Sequence, residues 1–303
     1  MTNIFDYIIE QIVSKNSLHG KKLLKNLKKF DKEYYKRADT FLLKYEKLLK
    51  TENKSIDYAV SCYLQMLADV NYETLQFFKT GKYSSRSFLE VYNRVYNDPK
   101  VMEYYMHGLL LSQFLWPHHY EILMWFNKVM NNNKNLIKKY LEVGGGHGLY
   151  ISEAQDLIGN VAEFDLVDIS QSSLNIAKKM IDNDNVKYIL TDIFDYYPTK
   201  RYDFITMGEV LEHVEDPVKL LKKLSTILSD NGKLLITTPT NAPAIDHIYL
   251  FEKAEDIRNV IKIAGFVIEE DVCFFSEDVS EDVAAKFKIS MMYGGLLIKS
   301  DNS

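Results

Sequence analysis

Three glycines at alternate positions, Gly144, Gly146 and Gly148, follow a short apolar run that contains Glu142 and Val143. Glycine tolerates positive φ and lets the backbone approach a ligand closely. The residues after Gly148 have a helical pattern, and a helix N-terminus directs free N–H groups and a positive dipole end towards a bound group. A strand, a glycine turn and a helix in this order predict a nucleotide-like cofactor at the end of the first strand of an α/β sheet.

The spacing of these glycines argues against two common nucleotide loops. A dinucleotide fingerprint, G-x-G-x-x-G, would place its third glycine at Leu149, and a G-x-x-x-x-G-K-[ST] phosphate loop does not occur in the chain. The chain has E-x-G-x-G-x-G instead, beginning at Glu142. This pattern resembles motif I of the S-adenosylmethionine (SAM)-dependent methyltransferases with a Rossmann-like fold. The resemblance implies SAM as the cofactor and assigns Glu142 and the three glycines to its site.

A carboxylate ends the second predicted strand, Val161–Asp168. At this position Asp168 is placed to accept hydrogen bonds from both hydroxyls of a ribose. Asp168 could instead cap the predicted helix Gln171–Ile181, but Ser170 can take that role. We therefore assign Asp168 to ribose, and its neighbour Ile169 to the same cofactor site.

A second acidic residue follows the third predicted strand, Val186–Leu190. In the methyltransferases that the chain resembles, an aspartate here accepts from the adenine amino group, and the next residue packs on the ring. Asp192 and Ile193 match these two positions. Without the flanking motifs, a solvated turn aspartate would be an equally good interpretation.

The fourth motif is E-V-L-E-H-V-x-D-P, from Glu209 to Pro217, after the apolar strand Tyr202–Met207. Asp216 and Pro217 have the order of an N-cap and a first helical residue, and helical spacing of apolar residues continues over Val218–Leu228. The motif closely resembles the segment after strand four in small-molecule methyltransferases, including the ubiquinone-type O-methyltransferases. The resemblance covers roughly Lys139–Lys299 and adds Glu209 to the implied cofactor site.

The remaining pattern completes a sheet. We predict a fifth strand at Lys233–Thr238, a helix at Glu252–Ala264 that stops before Gly265, and a final antiparallel pair at Phe266–Phe275 and Lys288–Lys299. The fold class expected is α/β, with a seven-stranded, mostly parallel Rossmann-like sheet and helices on both faces. The loop Thr238–His247 should form a wall of the substrate pocket.

An all-helical N-terminal domain is expected to precede this sheet. Its breaks are predicted near Gly20, 51–55, 80–84, 97–99, 116–117 and 131–135. The stretch Tyr104–Tyr120 mixes aromatic, apolar and hydrogen-bonding residues, as a lid over an active site requires. We therefore divide the chain into a helical, substrate-selecting cap at residues 1–135, which is also a candidate homodimer interface, and a SAM-binding catalytic domain at 136–303.

Composition limits the function classes. The net charge of −5 opposes a nucleic-acid partner. Cys62 and Cys273 show no metal or redox spacing, and together with a cytosolic type of enzyme they favour a reducing, cytoplasmic location. Met1–Glu10 lacks the basic start of a signal peptide, and no apolar run reaches the ~18 residues of a membrane span.

Histidines are the first candidates for the base that methyl transfer to oxygen or nitrogen needs. His213, in the fourth motif, is the first choice; His118, His119 and His247 come next, with Glu209 as an alternative. His147 lies in the glycine loop and is expected only to shape it. A metal site joining His118 or His119 to His213, Asp246 or His247 would suit iron or zinc. The chain lacks a tight H-x-x-x-H or H-x-H pair, so no metal is expected.

We predict a methyltransferase that acts on a small-molecule acceptor of aromatic, hydrophobic or carrier-bound type, with oxygen as the first choice of the atom methylated. Methylation of carbon or of a carboxylate, in a natural-product or peptide intermediate, is one alternative. An RNA or protein methyltransferase and a non-catalytic SAM-binding subunit are the others. Met207-Gly208-Glu209-Val210 stands where adenine-N6 and glutamine methyltransferases of this fold typically carry N-P-P-[YF], which argues against that subgroup.

Overall fold

A seven-stranded sheet forms the centre of the C-terminal part of the computed structural model, which describes residues 3–159, 162–181 and 185–300. The strands are β1 (Lys139–Val143), β2 (Glu163–Asp168), β3 (Val186–Leu190), β4 (Tyr202–Gly208), β5 (Leu228–Thr240), β6 (Phe266–Phe275) and β7 (Met291–Lys299). Their order is β3-β2-β1-β4-β5-β7-β6. Val161, predicted to begin the second strand, lies outside the described residues.

Strands β1 to β5 run parallel to their neighbours, and β7 is antiparallel to both β5 and β6. In β1, Tyr140 to Val143 are all buried, as expected for a central parallel strand that is covered on both faces. The predicted seven-stranded, mostly parallel sheet is therefore confirmed. The predicted last pair is also present, with β7 inserted between β5 and β6.

Helices cover both faces of the sheet. They are α1 (Ile4–Lys15), α2 (Ser17–Leu27), α3 (Lys32–Thr51), α4 (Ile56–Thr80), α5 (Phe88–Val91), α6 (Pro99–Leu115), α7 (Pro117–Asn133), α8 (Leu149–Ile158), α9 (Gln171–Met180), α10 (Pro217–Ile227), α11 (Ala254–Ile263) and α12 (Glu281–Phe287). Residues from α10 and α11 form one apolar core with β1, β4 and β5. The opposite core joins α8, α9 and the N-terminal helices to the sheet.

The N-terminal part is helical, as predicted, but one predicted break is wrong. Gly20 lies inside α2, and the chain breaks at Asn16, whose side chain accepts from the backbone N–H of His19. A Cβ on Gly20 would lie 2.7 Å from Val13 Cα, so this glycine allows α1 and α2 to pack closely. The break between α2 and α3 was not predicted; there Asp31 caps α3 by accepting from the N–H groups of Glu33 and Tyr34.

Several predicted boundaries in the C-terminal part also differ. Strand β5 begins at Leu228, because Leu228 pairs with Tyr202 of β4. After a register shift, regular pairing of the two strands resumes with Lys233 opposite Phe204. Helix α11 begins only at Ala254, with Lys253 as N-cap, and β7 begins at Met291 after the unpredicted helix α12. No helix in the described part of the chain is long and apolar enough to cross a membrane.

The helical region packs directly on the sheet domain. Helix α7 ends at Asn133 and a short 3₁₀ turn, Lys134–Leu136, leads into β1. The rings of Phe126 and Tyr150 lie 4.7 Å apart, and Trp125 Nε1 donates to Glu270 at 3.0 Å. Because one apolar core runs through both parts, the boundary at residue 135 remains a prediction from the sequence.

Close contact of α7 with β7 depends on Gly294. A Cβ at this position would lie 2.6 Å from Ile122 and 2.7 Å from Trp125. We expect Gly294→Ala to lower the free energy of unfolding by about 1–3 kcal/mol through overpacking, measured by urea denaturation. Gly295→Ala is the matched control, because its nearest contact is 3.0 Å away, and we expect a smaller loss. Equal losses would contradict this account of the interface.

Candidate active site

The glycine turn after β1 has the backbone conformation that its sequence predicts. Gly144, Gly146 and Gly148 have φ of 66°, 53° and 76°, a region that L-residues rarely adopt. A Cβ on Gly144 would lie 2.5 Å from Val210 Cγ2, so a side chain does not fit where the turn meets the end of β4. His147 Nδ1 accepts from the N–H of Leu149 at 3.3 Å, so this histidine shapes the loop.

A cleft of about 530 Å³ lies between this turn, the ends of β1, β2, β3 and β4, and helix α6. Most of the predicted cofactor residues line it: Gly144, Gly146, Asp168, Ile169, Asp192, Ile193 and Glu209. Glu142 and Gly148 do not. Glu142 lies buried in β1, where its Oε2 has no hydrogen-bond partner and burial raises the pKa of its carboxyl well above the usual range.

Asp168 is held in place by backbone donors. Its Oδ2 accepts from the N–H of Gly146 at 3.0 Å and its Oδ1 from the N–H of Ser170 at 2.7 Å. Burial raises the pKa of Asp168 to about 6, although these N–H groups oppose the shift. Each carboxylate oxygen has a second lone pair for a ligand hydroxyl. Ser170 caps α9 by accepting from the N–H of Ser173, as predicted.

The residues after β3 are also placed at the cleft. Asp192 Oδ1 accepts from the N–H of Phe194, which fixes the carboxylate at the start of a 3₁₀ turn. Ile193 beside it is buried. The volume, the turn that excludes side chains and the two lining carboxylates fit the adenosyl part of SAM. The assignment of Asp168 to the ribose, and of Asp192 with Ile193 to the adenine, stays a prediction from the sequence.

Helix α6 and the turn before it close the cleft from the N-terminal side. Met102, Tyr105, Met106 and Leu109 line it from α6, and Tyr96 lines it from a π-helical turn at 92–96. Three of these residues, Tyr105, Met106 and Leu109, lie in the stretch 104–120, whose role as a lid stays a prediction. The sequence did not single out Tyr96 or Tyr105 as site residues, since both look like ordinary aromatic core positions.

Two tyrosines, one histidine and one aspartate form a hydrogen-bonded group at this roof. Tyr105 OH donates to Asp246 Oδ1 at 3.0 Å, and Tyr96 OH lies 3.0 Å from His213 Nδ1. His213 Nδ1 is also 3.0 Å from the backbone oxygen of Asp246. Burial lowers the pKa of His213, but the nearby Asp246 and Glu212 outweigh it, and the net shift is upward.

Glu212 lies beneath this group. Its Oε2 accepts from Thr238 Oγ1 at 2.8 Å, while its Oε1 has no hydrogen-bond partner and lies 3.7 Å from His213 Nε2. Ligand atoms of Glu212, His213 and His247 lie within 4.8 Å of one another. Two imidazoles and a carboxylate are a set that can hold zinc or iron. The metal site considered from the sequence joined His118 or His119 to His213, Asp246 or His247. The group found among the described residues contains Glu212 and neither His118 nor His119.

A second cavity of about 690 Å³ lies on the other side of the roof. His118, His119 and His247 line it, whereas His213 lines the first cleft. Burial lowers the pKa of His118 to about 3 and that of His247 to about 4. The predicted candidates for the base therefore fall into two cavities, and both of these imidazoles are neutral near pH 7.

Glu209 lines both cavities, together with Tyr105 and Leu109. Its φ of 52° is unusual for a side chain of this size, and such strain is common at functional sites. Its N–H donates to Thr237 O at 2.8 Å, which holds this conformation. Burial and the neighbouring Glu212 raise the pKa of Glu209 to about 8.

The chain is similar in sequence to known methyltransferases. A family profile described as "Methyltransferase domain" matches residues 118–285. Malonyl-[acyl-carrier protein] O-methyltransferase 1 of Ilyobacter polytropus is 27% identical over 162 residues, which cover 49% of this chain and 60% of that protein. Ubiquinone biosynthesis O-methyltransferase of Coxiella burnetii is 33% identical over 127 residues, 41% of this chain and 53% of that protein.

These curated relatives are thus matched over 53% to 60% of their own length. Among solved structures, that of the mitomycin 7-O-methyltransferase MmcR superposes with a TM-score of 0.55 at 12% identity, over 81% of this chain and 70% of that one. At this identity the likeness concerns the fold.

The role assigned to Asp168 can be tested by pH. A carboxylate that accepts ribose hydroxyls must be ionised, and its pKa is about 6. We expect the affinity for SAM to be constant above pH 7 and to fall as the pH drops through 6, because protonation removes acceptor capacity. Asp168→Asn should weaken SAM binding at least about tenfold and abolish this pH dependence. Calorimetric titration would measure both, and unchanged affinity in the variant would remove Asp168 from the site.

Proposed function

The chain belongs to the family of proteins that contain this methyltransferase domain, and we propose that it transfers the methyl group of SAM to an oxygen of a small-molecule acceptor. The observation that carries the proposal is the pair of cavities that meet at Glu209. The first cleft has the residues for an adenosyl cofactor, and the second offers separate space for an acceptor. Pockets of this size are typical of small-molecule sites.

The two cavities provide the alignment that methyl transfer requires. When bound, SAM supplies an electrophilic sulfonium methyl group, and the acceptor oxygen displaces the thioether in line. Tyr105 and Leu109, which line both cavities, are placed to set the approach of the acceptor. A bound acceptor would displace water from the space beneath α6, which would strengthen polar interactions at the junction.

Glu209 is the group we propose as proton acceptor. It lies at the junction, and a base with a pKa of about 8 is matched to an acceptor hydroxyl near neutral pH. As the carbon–oxygen bond forms and the carbon–sulfur bond breaks, the hydroxyl proton passes to the Glu209 carboxylate. His213 is the first choice for the base from the sequence, but its Nδ1 already contacts Tyr96 and Asp246. We therefore propose that His213 positions the neighbouring carboxyls, including that of Glu209.

The assignment of Glu209 predicts a pH profile. A base must be deprotonated to act, so we expect kcat/KM to rise from pH 6 and to level off above the pKa of about 8. Glu209→Gln should lower kcat by about 10²–10⁴-fold and remove the rise, measured by release of S-adenosylhomocysteine. SAM affinity within severalfold of the parent is the folding control. A Gln variant that keeps the same profile would exclude Glu209 as base.

The role of His213 predicts a smaller effect. His213→Asn should lower kcat about 10–100-fold, since Glu209 loses the imidazole that lowers its pKa, while SAM affinity changes little. The pH profile should move to higher pH, because the pKa of Glu209 is held down by His213. Turnover equal to that of the parent chain would remove His213 from the machinery.

The cofactor and the reaction can be examined together. Titration with SAM, S-adenosylhomocysteine and NAD should show binding of the first two and none of NAD. Transfer of a labelled methyl group to a panel of hydroxylated small molecules should then identify the acceptor type. Absence of SAM binding would overturn the proposal.

A further inference from the structure

The second cavity is apolar along most of its length. Met66, Leu67, Val70 and Phe77 line it from α4, and Trp116 lines it from the start of α7. At its outer end, large apolar side chains are left in solvent: Leu18, Phe78 and Phe287 are 83%, 65% and 55% exposed. An apolar wall that continues to an apolar rim favours a ligand with a hydrophobic body.

The inner part of this cavity contains buried polar atoms without partners. His118 Nδ1, His247 Nδ1 and Asn241 Oδ1 have no hydrogen-bond partner, and each of these residues is only 8% exposed. Buried polar atoms are nearly always hydrogen-bonded, so orphaned ones at a cavity wall indicate where a ligand supplies the partner. Asn241 also has a positive φ of 48°, held by its own N–H donating to Phe251 O and its Nδ2 to Glu252 O.

Among the described residues that line the second cavity, each lysine lies beside an acidic residue. Lys22 Nζ lies 2.7 Å from Glu277, and Lys288 Nζ lies 3.9 Å from Glu252 and over the ring of Phe77. Both are at the outer end, with the exposed Phe78 and Phe287. At the inner end the described lining holds the carboxyl of Glu209 and the neutral imidazole of His118, and neither brings a positive charge. An anionic head group would therefore be desolvated here without a counter-charge, which is costly.

We propose that the second cavity is the acceptor site and takes an uncharged, largely apolar molecule that bears hydroxyl groups, with its hydrophobic body along α4 and its polar end at His118, Asn241 and Glu209. This assignment rests on the proposed methyl transfer and names the class of acceptor. The same lining disfavours a free carboxylate or phosphate at the reacting end.

A matched pair of probes tests the charge of the acceptor. A heptylresorcinol carries two neutral hydroxyls on an apolar body, and the corresponding heptyl-hydroxybenzoate replaces one of them by a carboxylate. Trp116 lines the cavity, whereas Trp125 contacts Glu270 elsewhere, so saturable quenching of tryptophan fluorescence should report binding. We expect the resorcinol to bind at least about tenfold more tightly than the benzoate, and Trp116→Phe should remove most of the signal.

Two variants locate the site. Val70→Phe places a ring in the cavity and should weaken resorcinol binding at least about tenfold, while Ala68→Phe, at an exposed position of the same helix, should not. His118→Phe should weaken it about three- to tenfold through loss of a hydrogen bond. SAM titration of every variant checks that the first cleft is intact.

The outcomes separate this inference from the proposed function. If SAM binds but the benzoate binds as tightly as the resorcinol, or if neither probe quenches Trp116, the acceptor class is wrong and methyl transfer stands. Resorcinol binding that is unaffected by Val70→Phe would also overturn the assigned cavity. If SAM itself does not bind, the proposed function fails first.

Discussion

The parallel direction of β1, β2, β3 and β4 is the constraint on which the site depends. Parallel neighbours bring their carboxyl ends to one edge of a sheet. Residues far apart in the chain, Gly144, Asp168, Asp192 and Glu209, therefore meet at one cleft without any direct contact being needed to gather them. The turns at these strand ends supply backbone donors and positive φ values, and both come from local geometry.

The helical region completes this edge and does not merely sit beside it. Tyr83 OH accepts from the N–H of Ala242, and Arg94 Nη2 donates to Ile245 O at 2.6 Å. These bonds, with Tyr105 on Asp246, fix the loop after β5 against the roof. The loop then presents Asp246 to the first cleft and His247 to the second. The position of these groups is thus a property of the interface between the two parts.

Burial determines the electrostatics of the site. The carboxyls of Glu142, Glu209 and Glu212 lie in surroundings that disfavour charge, so burial raises their pKa values. The imidazoles of the second cavity are shifted the other way and remain neutral. His213 is the exception, since it is surrounded by carboxylates. One side of the junction at Glu209 therefore carries carboxyls with raised pKa values, while the imidazoles on the other side are neutral.

The sheet, and the edge at which the predicted cofactor residues lie, could be predicted from the sequence alone. Glycine spacing, acidic residues after predicted strands and the E-V-L-E-H motif are local signals, because each depends on turn geometry or strand ends within a few residues. The residues that lie opposite that edge could not be predicted, because they depend on tertiary packing. Tyr96 and Asp246 contact His213, and Tyr105 contacts Asp246, only when α6, the turn before it and the loop after β5 pack together. The split of His118 and His213 between two cavities follows from the same packing. Gly20 is a local signal that misleads, because glycine is typical of a helix break, but here it lies inside α2 and allows close contact with α1. Side-chain chemistry is readable along the chain, but which side chains face one another depends on long-range packing that no short pattern encodes.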